Sequence, residues 1–194
     1  MTKLIVATGN PGKLREMQSY LMGLDWELML KPDELDIEET GITFAENAAL
    51  KASQVAKALG EWSIADDSGL AVDALKGAPG LFSARYGATD GDRISRLLRE
   101  LGDAPDRRAQ FVCAIAVAQP DGEIVLAAVG PFAPDEILPR TDSGAAGLGT
   151  IQFFMYPEQQ MTFAEMPPDV KHKVSHRGRA FEILLPKLRS ISRK

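Results

Sequence analysis

Cysteine is almost absent from this chain: Cys113 stands alone among 194 residues. One thiol cannot close an internal disulfide, and no thiolate cage for a metal can be assembled from it. It lies in the apolar run Phe111-Val112-Cys113-Ala114-Ile115, the setting of a buried reduced thiol rather than a nucleophile. Positive charge is in deficit as well. Lys and Arg number 22 against 27 Asp and Glu, for a formal charge of −5 and a pI near 5.1. That balance argues against a nucleic-acid partner, which needs clustered cations. It leaves room for a small anionic substrate, because a few cations focused in a cleft suffice. No apolar run approaches membrane-spanning length, no signal peptide is legible, and no repeat or low-complexity tract interrupts the chain. The expectation is a cytoplasmic protein with no membrane partner. Apolar residues at 45% and charged residues at 25% describe an ordinary globular chain, read as one domain over 1–194, with or without two lobes.

What is there centres on Ile64-Ala65-Asp66-Asp67-Ser68-Gly69-Leu70. Trp62 to Ala65 predicts a short buried strand, and Ser68-Gly69 predicts a turn at its end. Side chains alternate along a strand, so Asp66 and Asp67 cannot both face the core. At least one is expected at the open end of a sheet, where α/β proteins bind ligands.

Upstream, Lys3 to Ala7 reads as a buried first strand ending in Thr8-Gly9-Asn10-Pro11-Gly12-Lys13. Asn10 suits an N-cap and Pro11 a first helical position, with the helix running to about Met22. A strand, a polar turn and a helix start together attract an anion. Lys13 in the first turn opposes the helix dipole, a sign that a bound phosphate would reverse. The segment is either a plainly capped helix or a phosphate site, and it is not a Walker A loop. Trp26 to Leu30 predicts a second strand, followed by a polar stretch, Lys31 to Thr40. Thr43-Phe44-Ala45-Glu46 matches a capping box opening a helix to about Leu59. Phe44, Ala48, Val55 and Leu59 line its apolar stripe, and Lys51 falls in the middle. A lysine there either snorkels to water or takes a ligand or a carboxylate partner, and the partner is the expectation.

Further on, Val72 to Phe82 reads as a loop, Asp92 to Leu101 as a helix, and Arg107 to Ala118 with Glu123 to Val129 as a hairpin. Gly130 to Gly149 reads as irregular, Ile151 to Tyr156 as a strand, and about His176 to Arg189 as the last helix, with Ser175 as its N-cap. His176 and Arg177 place cations on the positive end of that helix, so an anion or a carbonyl-bearing ligand is expected at its start.

Taken together these segments resemble the inosine triphosphate pyrophosphatase family, whose members hydrolyse non-standard purine nucleoside triphosphates. The resemblance runs nearly end to end. It is carried by Ala7-Thr8-Gly9-Asn10 with Lys13, by Glu38-Glu39-Thr40-Gly41-Ile42-Thr43-Phe44-Ala45-Glu46-Asn47-Ala48 with Lys51, and by Ala65 to Leu70. Gly77-Ala78-Pro79-Gly80, Ser83-Ala84-Arg85, Thr162-Phe163-Ala164-Glu165-Met166, Lys171 and Ser175-His176-Arg177 extend it. The family implies an α/β fold: a mixed central sheet flanked by helices, elongated and two-lobed with a cleft, and a homodimer. It assigns Thr8, Gly9, Asn10 and Lys13 to the triphosphate, Ser68 to substrate contact, and Lys51 to the phosphates. It makes Asp67 the base that activates water, puts Glu39 and Asp67 around Mg²⁺, and gives Lys171, His176 and Arg177 to the nucleobase.

One segment departs from the family pattern. Where members carry Gly-Phe-Gly-Tyr-Asp-Pro, this chain has Gly147-Leu148-Gly149-Thr150-Ile151-Gln152, and Gly130 to Ile137 also fits poorly. The phosphate chemistry is untouched by these changes, and base preference is the open quantity. A pyrophosphatase with drifted base specificity therefore competes with the family activity. A non-catalytic nucleotide sensor would have no need for Glu39 and Asp67 together.

Overall fold

The computed structural model describes residues 2–132, 136–137, 154–156, 161–162 and 165–191. Strand β1 (Thr2–Val6) runs from exposed Thr2 and Lys3 into buried Leu4, Ile5 and Val6. Asn10 then caps α1 (Pro11–Tyr20): its Oδ1 accepts the Gly12 N–H at 2.8 Å, and Pro11 supplies the fixed φ of a first turn. Strand β2 (Trp26–Leu30) pairs in parallel with β1, Thr2 opposite Trp26 and Val6 opposite Leu30. Residues 31–43 are neither helix nor strand and lead to α2 (Phe44–Leu59).

Helix α2 is closed at both ends. Thr43 Oγ1 accepts the Glu46 N–H at 3.1 Å, and Gly60 ends the helix in the left-handed region at φ 64°. Glu46 Oε2 reaches back to the Ile42 N–H at 2.7 Å, one residue before the cap. Strand β3 (Trp62–Val72) then pairs in parallel with the other edge of β1, Leu4 opposite Trp62 and Val6 opposite Ile64. Two 3₁₀ turns (Asp73–Leu75 and Gly80–Arg85) precede α3 (Asp90–Leu101), which Thr89 and Asp92 close with a full capping box. Strands β4 (Ala109–Ala118) and β5 (Ile124–Phe132) flank the turn at 119–123. Strands β6 (Glu136–Ile137), β7 (Phe154–Tyr156) and β8 (Met161–Thr162) form a small antiparallel sheet. Helices α4 (Pro168–Val174) and α5 (His176–Ile191) end the described chain. The main sheet has the order β2-β1-β3-β4-β5, mixed and flanked by helices, as expected.

The chain divides into two compact units: Met1–Asp67 with Cys113–Gly130 and Arg177–Lys194, and Ser68–Val112 with Pro131–His176. In the first unit, strand alternation sorts the core into two layers. Leu4, Val6, Ile64, Cys113, Ile115 and Val117 pack with Met17 of α1 and with Ala180, Phe181 and Leu184 of α5. Ile5, Ala7, Ala65, Ala114, Ala116 and Ala118 pack with Ala48, Ala52, Val55 and Ala56 of α2. Alanine on both sides of that second contact brings helix and sheet close, since side-chain size sets the spacing between packed elements. The second unit has its own core of Leu70, Val72, Tyr86, Leu97, Leu101, Ala109, Phe111 and Met166.

Several sequence expectations need correction. Ser68 and Gly69 do not turn; β3 passes through them to Val72, because Leu70 and Val72 are needed in the second core and Ser83 Oγ takes the Leu70 N–H at 2.9 Å. Residues 72–82 are not a plain loop but hold both 3₁₀ turns or their starts. Helix α4 was not anticipated, although Pro168 stands at its start, where proline is favoured. Ser175 needs no correction of place: it stands extended (φ −65°, ψ 154°) directly before α5, and its N–H also closes α4 on the Lys171 carbonyl at 2.9 Å. Of the strand expected at 151–156, only 154–156 is described, and the altered segment 147–152 lies outside the described residues.

Candidate active site

The first three strands supply the frame. From β1 the chain winds to β2 on one side and then to β3 on the other, so the winding reverses at β1. In open α/β sheets such a reversal leaves a crevice beyond the carboxyl ends of the strands. β1 stops at Val6, opposite Ile64, while β3 runs on, and Asp66 and Asp67 therefore stand past the end of β1. A cavity of about 250 Å³ sits there, lined by Ala7, Thr8, Gly9, Lys13, Lys31, Leu35, Asp36, Ile37, Glu39, Lys51 and Asp66.

Its backbone rim is tied to the sheet. The Ala7 N–H donates to Ile64 O at 2.8 Å, and the Lys31 N–H to Val6 O at 3.1 Å. Thr8 Oγ1 accepts the Asn10 N–H at 3.1 Å. A Cβ on Gly9 would meet nothing within 4 Å, so the backbone faces open space at that point.

The two aspartates take opposite faces, as alternation requires. Asp66 turns to the α1 and α5 layer, where Lys13 Nζ lies 3.0 Å from its Oδ1 and Arg177 Nη2 donates to its Oδ2 at 2.8 Å. Arg177 Nη1 also pairs with Glu16. The Asp66 side chain is 1% exposed. Burial alone would raise its pKa, but the charges of Arg177 and then Lys13 outweigh burial and hold the carboxyl well below the usual range. The cation at the start of α5 thus has its anion within the chain, from β3.

Asp67 turns to the α2 layer. Lys51 Nζ donates to Asp67 Oδ1 at 3.2 Å and to Glu39 Oε1 at 3.0 Å. Lys51 is only 7% exposed, in the middle of the stripe, and carboxylates provide the partner expected from the sequence. Burial pushes its pKa down, and Asp67 and Glu39 more than reverse that, so it stays charged. Lys31 Nζ donates to Leu35 O at 2.7 Å and to Pro32 O at 3.2 Å, both neutral acceptors. Sequence reasoning placed Lys31 only in a polar stretch. Its signal was a position one residue beyond β2, which becomes informative once β2 is known to lie parallel beside β1.

The first unit therefore brings together Thr8, Gly9, Lys13, Glu39, Lys51 and Asp66 around one cavity, with Asn10 capping α1 and Asp67 held through Lys51. Ser68, Lys171 and His176 belong to the second unit. There His176 stacks on Phe111 with ring centroids 5.3 Å apart, and Lys171 lies in α4. Cys113 is buried, as expected.

A family model described as the Ham1 family matches residues 4–187. The chain belongs to the Ham1 family. A dITP/XTP pyrophosphatase of Nostoc sp. is 64% identical over 189 residues, covering 97% of this chain and 95% of that protein. The Staphylococcus aureus Ham1 protein superposes with a TM-score of 0.85 at 36% identity, over 97% of this chain and 99% of that one. A HAM1 protein from Coxiella burnetii gives 0.86 at 40% identity, over 97% and 98%. The resemblance carried by the separated motifs thus holds over the whole chain.

Proposed function

We propose that this chain hydrolyses non-standard purine nucleoside triphosphates, ITP, dITP and XTP, to the monophosphate and pyrophosphate. The observation that carries this reading is the meeting of Lys13, Lys31 and Lys51 with Glu39 and Asp66 at the carboxyl ends of three strands, with Asp67 alongside. A triphosphate brings about four negative charges, and cations aimed at it stabilise the further charge that develops during attack. Lys13, Lys31 and Lys51 and the open backbone at Thr8 and Gly9 receive the phosphates. Asp67 takes the proton of the water that attacks the α-phosphorus. The bond between that phosphorus and the bridging oxygen breaks, and pyrophosphate leaves.

Glu39 and Asp67 fit a Mg²⁺ ion. Both carboxylates reach the Lys51 ammonium, at 3.0 and 3.2 Å, so they stand close together, and both are the hard oxygen donors that this ion prefers. Mg²⁺ held by Glu39 and Asp67 would supply neutralisation of phosphate charge, with Lys51 turned to the phosphates. Lys171, His176 and Arg177, with Ser68, are assigned to base and substrate recognition on the family resemblance. That resemblance also supports a homodimer; among the described residues no helix is long and apolar enough to cross a membrane, and the cytoplasm is the compartment proposed.

The test is pyrophosphate release with ITP and Mg²⁺ from wild type and Asp67→Asn. Loss of a general base costs about 10²–10⁴-fold, so the variant is expected to keep nucleotide binding and lose turnover by at least that factor. Activity above a tenth of wild type at saturating Mg²⁺ would remove Asp67 from the role.

A further inference from the structure

Glu39 poses a positioning problem. It sits within residues 31–43, outside any helix or strand, and loop-borne groups are held less exactingly than those on regular elements. Its neighbours are strapped to α2. Gln54 Oε1 accepts the Glu38 N–H at 3.1 Å, and Gln54 Nε2 donates to the Glu38 carbonyl at 3.0 Å. One carboxamide thus satisfies both backbone groups of the residue before Glu39. On the other side, Asn47 Oδ1 accepts the Gly41 N–H at 2.8 Å, and Asn47 is buried. Gly41 is needed for that approach: a Cβ there would lie 2.7 Å from Asn47 Oδ1 and 2.7 Å from Glu46 Cβ.

Asn47, Lys51 and Gln54 are spaced i, i+4, i+7 and share one face of the helix. The segment 38–41 is therefore fastened one turn before and one turn after the lysine whose ammonium takes Glu39 Oε1 at 3.0 Å. We infer that Gln54 is a positioning residue for Glu39: it touches neither substrate nor metal, and it sets the carboxylate by holding the Glu38 peptide. This rests on the reading of Glu39 as a metal ligand given above. Groups that orient ligating residues typically change metal affinity by about 10–100-fold when removed.

The experiment measures Mn²⁺ binding by electron paramagnetic resonance in the presence of α,β-imido ITP, together with the Mg²⁺ midpoint of ITP hydrolysis. Wild type, Gln54→Leu, Glu39→Gln and the double variant are compared, with thermal melts of each. Leucine is one bond shorter than glutamine, carries no polar group and suits a helix, and Gln54→Glu serves as a second variant, keeping the acceptor and losing the donor. The expected result is a rise of roughly ten-fold or more in both metal constants for Gln54→Leu and Gln54→Glu. Turnover at saturating Mg²⁺ should stay near wild type, and the Gln54 change should have no further effect once Glu39 is Gln. Wild-type metal constants in Gln54→Leu beside weakened ones in Glu39→Gln would overturn the clamp and leave the metal reading standing. Undisturbed metal binding in Glu39→Gln would overturn both. Equal effects of Gln54→Leu in either background, with a lowered melting temperature, would make Gln54 a structural residue only and overturn the inference.

Discussion

Asp66 and Asp67 are neighbours in sequence, yet β3 hands them to different layers and different partners. Asp66 is sealed between Lys13 and Arg177, whereas Asp67 shares an ammonium with Glu39. Removing one member of a buried pair leaves the rest uncompensated, at about 3–5 kcal/mol. At roughly 2–4 °C per kcal/mol for a chain of this size, Asp66→Asn should melt on the order of 10 °C below wild type; a melt within 2 °C would show that the pair contributes little. Cys113 lies in the same layer. Burial first, and then the charge of Asp66, push its thiol up to about 12. In the unfolded chain a thiol ionises near about 8.5, so this group favours the folded state below that pH, and its contribution is lost as pH climbs toward 12. At pH 8.5 the native thiol should alkylate on the order of 10²-fold more slowly than in urea; equal rates would mean that the site is open to reagent. At this scale the sequence showed that the two carboxylates must part, but not which one is buried. The deciding partner, Arg177, lies 111 positions away and is brought in by tertiary packing.

At the scale of elements, α2 was the most legible piece of the chain. Its cap, its length and its interrupted stripe all follow from local rules, and the anomaly of Lys51 asked for a ligand or a carboxylate partner before any fold was known. Helix α1 was legible for the same reason, through Asn10 and Pro11. The end of β3 was not. Ser68-Gly69 has turn chemistry, and local preference was overridden by the burial of Leu70 and Val72 in a second core. Helix α4 escaped because its seven residues are too few to display an apolar period. The Lys51 argument yields a test at this scale. In Lys51→Met an apolar chain of similar length completes the stripe, while Glu39 and Asp67, with side chains 32% and 16% exposed, keep access to water. The melting temperature should stay within about 3 °C of wild type while kcat falls by about 10²–10³-fold. A variant that melts early yet turns over normally would make Lys51 a packing residue.

For the whole molecule, the order β2-β1-β3 explains why residues as far apart as Thr8, Lys31, Glu39, Lys51 and Asp66 line one cavity: each follows or faces the carboxyl end of a strand at the point where winding reverses. For all of these but Lys31 that convergence was visible from sequence only through the family motifs, because parallel pairing leaves no local mark. Base choice is the property for which the motifs are incomplete. On the family resemblance His176 and Arg177 are assigned to the base; Arg177 also holds Asp66 and Glu16, and a donor from either residue would suit the O6 acceptor of a 6-oxopurine, where adenine presents a donor instead. A site built on donors rejects the analogue that leaves them unpaired by as much as about 10⁴–10⁵-fold. Guanine shares O6, so its exclusion falls to another part of the chain, and Leu148 and Thr150-Ile151-Gln152 stand where the family carries an aromatic and Tyr-Asp-Pro. Leucine gives up stacking, Ile151 removes a carboxylate, and Gln152 brings an amide that donates or accepts. The expected outcome is that ITP, dITP and XTP remain preferred over ATP, while discrimination against GTP is weaker than is usual for the family. Measured kcat/KM for ITP, XTP, GTP and ATP decides this, in wild type and with Tyr-Asp-Pro restored at 150–152. ATP turned over as well as ITP would overturn the donor argument, and unchanged GTP selectivity after restoration would show that base choice is set elsewhere.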